Sequence, residues 1–254
     1  MMNVLRDTWI IFVRQLRPAM RNPAAVLVFG MLQPVLYLAL FAPLLSGMPG
    51  TMGEESWQWF VPGMLAMLGL FGTAFAGFGL LPEMRSGAHE RLLATPVSRV
   101  ALLLGRVLRD VAILLVQAAI VLAVVLVLPI DLRVSPLGVV AGLGVLIVLG
   151  IGLGTLSYRL ALALKQEYLF AGALQTFLMP VILLSGILLP MDLAPGWLYT
   201  LSRMNPVSHV VEAERALFVG DFTDSAVPVG TAIAFAVAAV ALVVGARAMR
   251  RVSA

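Results

Sequence analysis

The chain has 254 residues, of which 61% are hydrophobic and 12% are charged, and its formal net charge is +4. A soluble domain of this length needs far more polar surface, so the composition is typical of a polytopic membrane protein. The basic residues are scattered, which gives no patch for nucleic acid, and the lack of cysteine excludes disulfides. We predict one all-α membrane domain over residues 1–254, with the membrane-spanning bundle as its core.

Residues 1–23 predict an amphipathic helix that lies in the membrane interface. At about 100° per residue, four arginines share one face and five apolar residues occupy a separate arc. The arginines are Arg6, Arg14, Arg17 and Arg21, and the apolar residues are Leu5, Trp9, Phe12, Leu16 and Met20. Such a helix directs its arginines to lipid phosphates and buries its aromatic rings. The alternative is a basic leader without a stable helix.

Six apolar segments have roughly the 20 residues that a bilayer span requires. They are residues 24–45, 58–81, 106–128, 137–158, 169–189 and 226–246. This arrangement leaves only Arg133, Arg203 and Arg215, of the 17 Lys and Arg residues, on one side of the membrane. By the positive-inside rule, the N- and C-termini therefore face the cytoplasm. The preference for arginine over lysine is typical of GC-rich bacterial genes, so we expect a bacterial plasma (inner) membrane.

A short charged segment, residues 82–99, follows the second span on the cytoplasmic side, with the sequence PEMRSGAHERLLATPVSR. It predicts a helix over 82–94, because Pro82 suits a first turn and Pro96 stops the helix. Any cytoplasmic loop of this length carries charges, so a solvated loop is the ordinary alternative.

Glu83 and Glu90 are seven residues apart and would share one face of that helix. Leu92 and Leu93 would seat the helix in an apolar groove. The chain contains no GxxxxGK[ST] phosphate loop, so any energy from ATP must come from a partner.

The third span begins with Arg106, Arg109 and Asp110, which we expect at the cytoplasmic interface with the arginines extended toward water. The central thirds of the other five spans hold no ionisable residue. An ion-coupled carrier is therefore disfavoured, because proton or sodium coupling normally uses such a residue.

Few polar residues lie within the spans, and Gln33, Tyr37 and Gln175 are candidates for a translocation path. Their alternative role is hydrogen bonding between helices. No HExxH or GxSxG signature is present, and the two histidines, His89 and His209, lie on opposite sides in this topology. We therefore expect no metal site and no catalytic residue.

The external region 190–225 predicts a helical hairpin that dips partly into the outer leaflet. Pro190 interrupts the fifth apolar segment, and the aromatic residues Trp197 and Tyr199 suit a membrane interface. The alternative is a surface loop with interfacial aromatics.

A short helix is predicted after Asn205 and Pro206. Glu212 and Arg215 lie three residues apart on it, at a spacing that allows an ion pair.

Two motifs, in the expected order, resemble those of type-2 ATP-binding-cassette (ABC) exporter permeases. The first is E…G..ERL..TPVSR, at Glu83, Gly87, Glu90-Arg91-Leu92 and Thr95-Pro96-Val97-Ser98-Arg99. The second is SG…P…PGWL…NP…EA.R, at Ser185-Gly186, Pro190, Pro195-Gly196-Trp197-Leu198, Asn205-Pro206, Glu212-Ala213 and Arg215. With the six-span layout, the resemblance covers essentially the whole chain. The subgroup it most resembles is the daunorubicin-resistance-type drug exporter permease.

The resemblance implies a dimer of permeases, each docked to a separate ATP-binding subunit that binds ATP and Mg²⁺. It implies that the chain is not itself an enzyme and carries no cofactor. It also implies that the segment 82–99 is the coupling helix, a docking handle that would contact the ATP-binding subunit through Glu83, Arg85, Glu90 and Arg91. The external gate would comprise Pro190, Trp197, Asn205, Pro206, Glu212 and Arg215.

The function implied is export of a hydrophobic or amphipathic drug or natural product. One alternative is export of a lipid-linked polysaccharide or glycolipid, which uses the same permease plan. Another is a regulatory or sensory membrane subunit that moves no substrate.

Overall fold

The structure is a computed structural model that describes residues 4–46, 52–127 and 132–251, and every regular element in these ranges is helical. The α-helices are α1 Val4–Arg21, α2 Pro23–Ser46, α3 Met52–Ala74, α4 Leu80–Arg85, α5 Ala88–Leu93, α6 Arg99–Val127, α7 Pro136–Leu164, α8 Glu167–Leu183, α9 Gly196–Arg203, α10 Pro206–Val219 and α11 Ala226–Arg251. Two 3-10 turns cover Ala76–Gly79 and Met191–Leu193. The all-α class is confirmed. Residues 1–3 of the predicted interfacial helix and residue 128 of the third predicted span lie outside the described residues.

Four helical stretches among the described residues are long and apolar enough to cross a membrane. They are Trp57–Arg85, Arg99–Leu126, Pro136–Leu164 and Ala226–Gly245, at the second, third, fourth and sixth predicted spans. At the first and fifth predicted spans lie α2, with 24 residues, and α8, with 17. The chain is thus a multi-pass helical protein, and six spans remain a prediction.

The helices at the third and fifth predicted spans begin or end at residues other than those predicted, and those at the fourth and sixth extend further, to Leu164 and Arg251. The third span's helix, α6, begins at Arg99 because the Ser98 hydroxyl accepts a hydrogen bond from the Ala101 N–H at 3.0 Å, which caps the first turn. The fifth, α8, ends at Leu183, and the chain then turns at Gly186, whose φ of +74° suits glycine. With 17 residues, α8 rises only about 26 Å, which is less than the roughly 30 Å hydrocarbon core.

The second predicted span contains a break between α3 and the 3-10 turn. The Ser157 hydroxyl of α7 donates to the Ala74 carbonyl at 2.5 Å and accepts from the Gly77 N–H at 2.9 Å. A side chain at Gly77 would clash with the Ser157 carbonyl, so glycine allows this close approach. The break sets the direction in which α4 leaves the bundle.

The single helix predicted over 82–94 is wrong. The structure has two short helices, α4 and α5, because Gly87 adopts a left-handed conformation with φ +67° between them. A left-handed residue reverses the chain direction and ends a helix. Glu83 and Glu90 therefore do not share one helix face. Leu92 is buried against this chain's own apolar core.

The core is centred on α3 and α7. The α3 residues Phe60, Met64 and Met67 are fully buried. Glycines of α7 let neighbouring backbones approach closely, with Gly138 against the Leu217 carbonyl of α10 and Gly152 against Ala238 of α11. The bundle is thus tightly packed around α7, and the polar groups described next lie at its cytoplasmic end in the predicted orientation.

Candidate coupling site and polar cavity

Glu83 connects three helices at the end of the bundle that is predicted to be cytoplasmic. Its Oε2 accepts from Arg106 Nη2 of α6 at 2.5 Å, and its Oε1 accepts from Gln15 Nε2 of α1 at 3.1 Å. The Arg106 side chain is 5% exposed, so it does not extend toward water as the sequence suggested. A buried guanidinium needs an anionic partner, and Glu83 supplies it. Glu83 therefore joins α4 to α1 and α6.

His89 of α5 lies on the inner side of the same cluster. Its Nδ1 is 3.4 Å from Arg106 Nη2, and the residue is 3% exposed. Burial, and then the positive charge of Arg106, lower the pKa of His89 below its ordinary value. The neutral imidazole is therefore favoured, and α5 is held against α6 without a second positive charge.

The remaining predicted coupling residues lie toward solvent. Arg85 Nη1 is 3.1 Å from Glu167 Oε1, which ties α4 to the first turn of α8. Glu90 and Arg91 are exposed on α5, opposite the buried His89 and Leu92. A partner protein can reach Glu90 and Arg91 directly, whereas Glu83 faces the bundle.

A second polar cluster lies one turn further along α6. Arg109 Nη1 is 2.8 Å from Asp110 Oδ1, and the Tyr158 hydroxyl of α7 donates to Asp110 Oδ2 at 2.5 Å. The Asp110 side chain is only 6% exposed. Charge pairing and hydrogen bonding offset the cost of placing the carboxylate within a membrane helix. The cluster fixes α6 against α7.

A cavity of about 550 Å³ opens next to this second cluster, between α2, α3, α6 and α8. Its polar lining residues are Gln33, Arg109, Asp110, Gln117 and Gln175. Phe71 and Phe75, whose rings are stacked with centroids 6.2 Å apart, contribute to the apolar wall. The cavity therefore offers amide donors and acceptors beside a largely apolar surface, which suits an amphipathic molecule.

Two of the three predicted path residues, Gln33 and Gln175, meet at this cavity although they lie on different helices. Tyr37 is not part of the lining, and its hydroxyl is 3.5 Å from Gln33 Nε2. Sequence reasoning missed Gln117, which is 3% exposed and packs against Gly30 of α2. The sequence could have indicated Gln117, because it lies two helical turns after Asp110 and residues at this spacing share a helix face.

Besides the predicted arginine face and apolar arc, α1 has a third face that is buried against the bundle. The four predicted arginines and Trp9 are exposed, while Thr8, Ile11 and Ala19 are buried. Ile11 packs against Gly105 of α6, where a larger side chain would not fit. The helix is therefore fixed to α6 along one face, and its arginines and apolar arc remain available to lipid.

Arg215 joins α10 to α3 and to the turn after α8, at the end of the bundle that is predicted to be external. Its Nη2 donates to the Gly186 carbonyl at 2.7 Å, and its Nε donates to the Trp59 carbonyl at 3.2 Å. Its guanidinium also lies 3.9 Å from the centroid of the Trp59 ring, in a cation–π contact. The Arg215–Glu212 ion pair that the sequence spacing allows is not among the ion pairs of the described residues.

Glu212 instead binds Arg203, with both carboxylate oxygens 2.6 Å from Nη1. The hairpin between α9 and α10 brings these residues together. Asn205 forms the bend: its Oδ1 caps α10 at the Val207 N–H, and its Nδ2 donates to the Val181 carbonyl of α8 at 2.7 Å. Pro206 occupies the first helical turn, where no N–H is needed.

The other predicted gate residues flank this hairpin. Pro190 precedes the 3-10 turn Met191–Leu193, and Trp197 is 68% exposed on α9. Among the described residues, no group of His, Asp or Glu has a geometry suited to a metal ion.

A model of the ABC-2 type transporter family matches residues 6–219. The chain belongs to the ABC-2 type transporter family. It is therefore a permease of an ABC transporter, a class in which a separate subunit hydrolyses ATP.

Curated relatives of the permease carry related names. "Daunorubicin resistance ABC transporter permease protein DrrB1" of Streptomyces coeruleorubidus is 28% identical over 189 residues, covering 74% of this chain and 67% of the relative. "Putative transport permease ycf38" of Cyanophora paradoxa is 26% identical over 212 residues, covering 82% and 73%. "Probable multidrug ABC transporter permease YbhR" of Escherichia coli K12 is 27% identical over 170 residues, covering 65% and 45%.

Proposed function

We propose that this permease moves a hydrophobic or amphipathic drug or natural product out of the cell, using ATP hydrolysed by a separate subunit. The cavity beside Asp110 supports this substrate class, because it combines glutamine amides with an apolar wall. The names of the relatives refer to daunorubicin resistance and to multidrug transport, in agreement with such a compound.

The Glu83–Arg106 ion pair is the main support for the proposed coupling between the ATP-binding subunit and α6. The ATP-binding subunit docks on the exposed face of α5, at Glu90 and Arg91, and moves the α4–α5 segment. Because Glu83 holds Arg106, that movement reaches α6 directly. One turn later, Arg109 and Asp110 of the same helix line the cavity, so a rotation of α6 changes the cavity wall.

The proposed arrangement has six spans, formed by α2, the α3–α4 segment, α6, α7, α8 and α11, with both termini in the cytoplasm. Charge distribution supports this orientation. The membrane is a bacterial plasma membrane, and two permease copies form the transporter. The hairpin of α9 and α10 dips into the outer leaflet and closes the external gate, with Arg215 as the contact between the gate and α3.

Reconstituted transport tests the proposal. The permease and its cognate ATP-binding subunit are placed in proteoliposomes, and ATP-dependent movement of daunorubicin and other amphipathic dyes is followed by fluorescence. We expect ATP-dependent flux for at least one compound, and loss of flux in Glu83→Gln with normal membrane insertion. Val243→Ala, on the exposed surface of α11, is the control. The absence of ATP-dependent flux across the panel would overturn the exporter function.

A further inference from the structure

A second cavity, of about 530 Å³, lies along a different face of α8 from the polar cavity. It is a groove between α7 and α8 with α3 as its floor. Its lining is almost entirely aliphatic and aromatic, and the residues that project along it include Leu153, Leu156, Leu160, Leu174, Phe177 and Leu178. The groove is open on one side, where Phe177 is 70% exposed and Leu156 is 39% exposed. An apolar surface of this kind within a membrane bundle meets lipid chains.

One cation lines this otherwise apolar groove. Arg159 lies on α7 about one and a half turns before the helix ends at Leu164, and its side chain is exposed. Among the described residues, none of the ion pairs involves Arg159. Glu167, the nearest following carboxylate in the sequence, is bound by Arg85. The guanidinium therefore has positive charge available to a ligand at this end of the groove.

We propose that the groove between α7 and α8 binds one anionic phospholipid of the cytoplasmic leaflet. The acyl chain lies along the aliphatic lining, and the phosphate binds the Arg159 guanidinium. Three features favour this occupant. The lining on α7, from Leu153 to Ala163, extends about 15 Å along the helix, which is enough to hold a large part of an acyl chain. The cation lies near the cytoplasmic end of α7 in the proposed orientation, where anionic lipids are enriched. Guanidinium also binds phosphate through two parallel hydrogen bonds.

The bound lipid would pack against the exposed face of α8 that borders the groove. α8 separates the groove from the polar cavity, since Gln175 lines one and Leu174 lines the other. A bound acyl chain would hold α8 in place on the open side of the groove, where Phe177 is exposed. The inference rests on the proposed orientation and is independent of the substrate that the permease transports.

Native mass spectrometry of the permease released from nanodiscs tests the proposal. The nanodiscs contain equal amounts of phosphatidylglycerol, which is anionic, and phosphatidylethanolamine, which is zwitterionic. We expect the wild type to retain phosphatidylglycerol preferentially. Arg159→Gln should reduce that preference about fivefold, as expected for one basic side chain near the membrane surface. Arg159→Lys, which keeps the charge, should retain most of the preference.

Lys165→Asn provides the matched control. Lys165 is also an exposed cation at the cytoplasmic end of α7 but lies outside the groove lining, and asparagine tolerates its φ of +56°. Its removal should leave the lipid preference unchanged. Leu160→Trp, which fills the groove and keeps Arg159, should lower retention of the lipid.

Three results would overturn the proposal. The first is an unchanged lipid preference in Arg159→Gln. The second is a shift from dimer to monomer in Leu160→Trp with lipid retention intact, which would identify the groove as an interface between permease copies. The third is a loss of transport in Leu160→Trp with lipid retention intact, which would assign the groove to the transported compound.

Discussion

The unequal exposure of Glu83 and Arg106 predicts that the two single substitutions have unequal effects on stability. The Arg106 side chain is 5% exposed and that of Glu83 is 28% exposed. Glu83→Gln leaves a buried guanidinium without its counter-ion, with the 3.4 Å contact to His89 still in place. We expect a loss of about 3 kcal/mol, the lower end for a broken buried pair.

Arg106→Met should have a smaller effect. It leaves a carboxylate that still reaches water and still accepts a hydrogen bond from Gln15, while the methionine fills most of the arginine volume. We expect a loss of about 1 kcal/mol, which is near the value of a single ordinary hydrogen bond. The double variant, Glu83→Gln with Arg106→Met, leaves no unpaired charge and should lie within about 1 kcal/mol of the wild type.

A double-mutant cycle measured by denaturant unfolding in lipid–detergent micelles tests these values. The four proteins should give an interaction free energy of about 4 kcal/mol between the two positions, since losses of about 3 and 1 kcal/mol in the single variants nearly vanish in the double variant. Arg91→Gln, at an exposed position of α5, is the control and should leave stability nearly unchanged. Equal losses in the two single variants, or strictly additive losses in the double variant, would refute the assignment of the pair as buried and coupled.

Three further predictions concern neighbouring contacts. Tyr158→Phe removes the donor to Asp110 and should lower the free energy of unfolding by about 1–3 kcal/mol, with a parallel loss of transport. Gly77→Ala should lower the yield of monodisperse protein in size-exclusion chromatography because its methyl group clashes with α7, whereas Gly79→Ala, which has open space, should not. The pKa of His89 is below 6.5, so the unfolded chain binds more protons as the pH falls below 6.5. Stability should therefore decline in that range, and His89→Gln should flatten the decline in unfolding measured from pH 7 to 5.

Hydropathy and motif spacing predicted the long helices and the family, because a membrane helix must satisfy its backbone internally and carry about 20 apolar residues. The same reasoning failed at 82–94. Helix propensity describes a continuous segment, and one glycine in the left-handed conformation divides this one. Nothing in the local pattern distinguishes Gly87 from a tolerated glycine within a helix.

The partners of the charged residues depend on tertiary structure. Arg106 could have extended toward water, and its pairing with Glu83 follows only from the direction that the break at Gly77 gives to α4. Likewise, Arg215 was expected to pair with Glu212 along one helix. The turn between α9 and α10 offers Glu212 a different arginine, and Arg215 reaches the carbonyls of α3 and of the turn at Gly186.

Two ion pairs connect α4 to the helices that line the polar cavity, so a movement of α4 would affect both α6 and α8. Glu83 connects α4 to α6, which lines one wall of the cavity, and Glu167 connects α4 to α8, which lines another. In the first contact the Arg106 side chain is only 5% exposed, whereas the second contact joins side chains that are 59% and 34% exposed and is easily broken by water. Movement of α4 should thus displace α6 with it and release α8. The α6 wall of the polar cavity would then move with α4, while the α8 wall would not. The width of the cavity can therefore change when the partner subunit binds ATP.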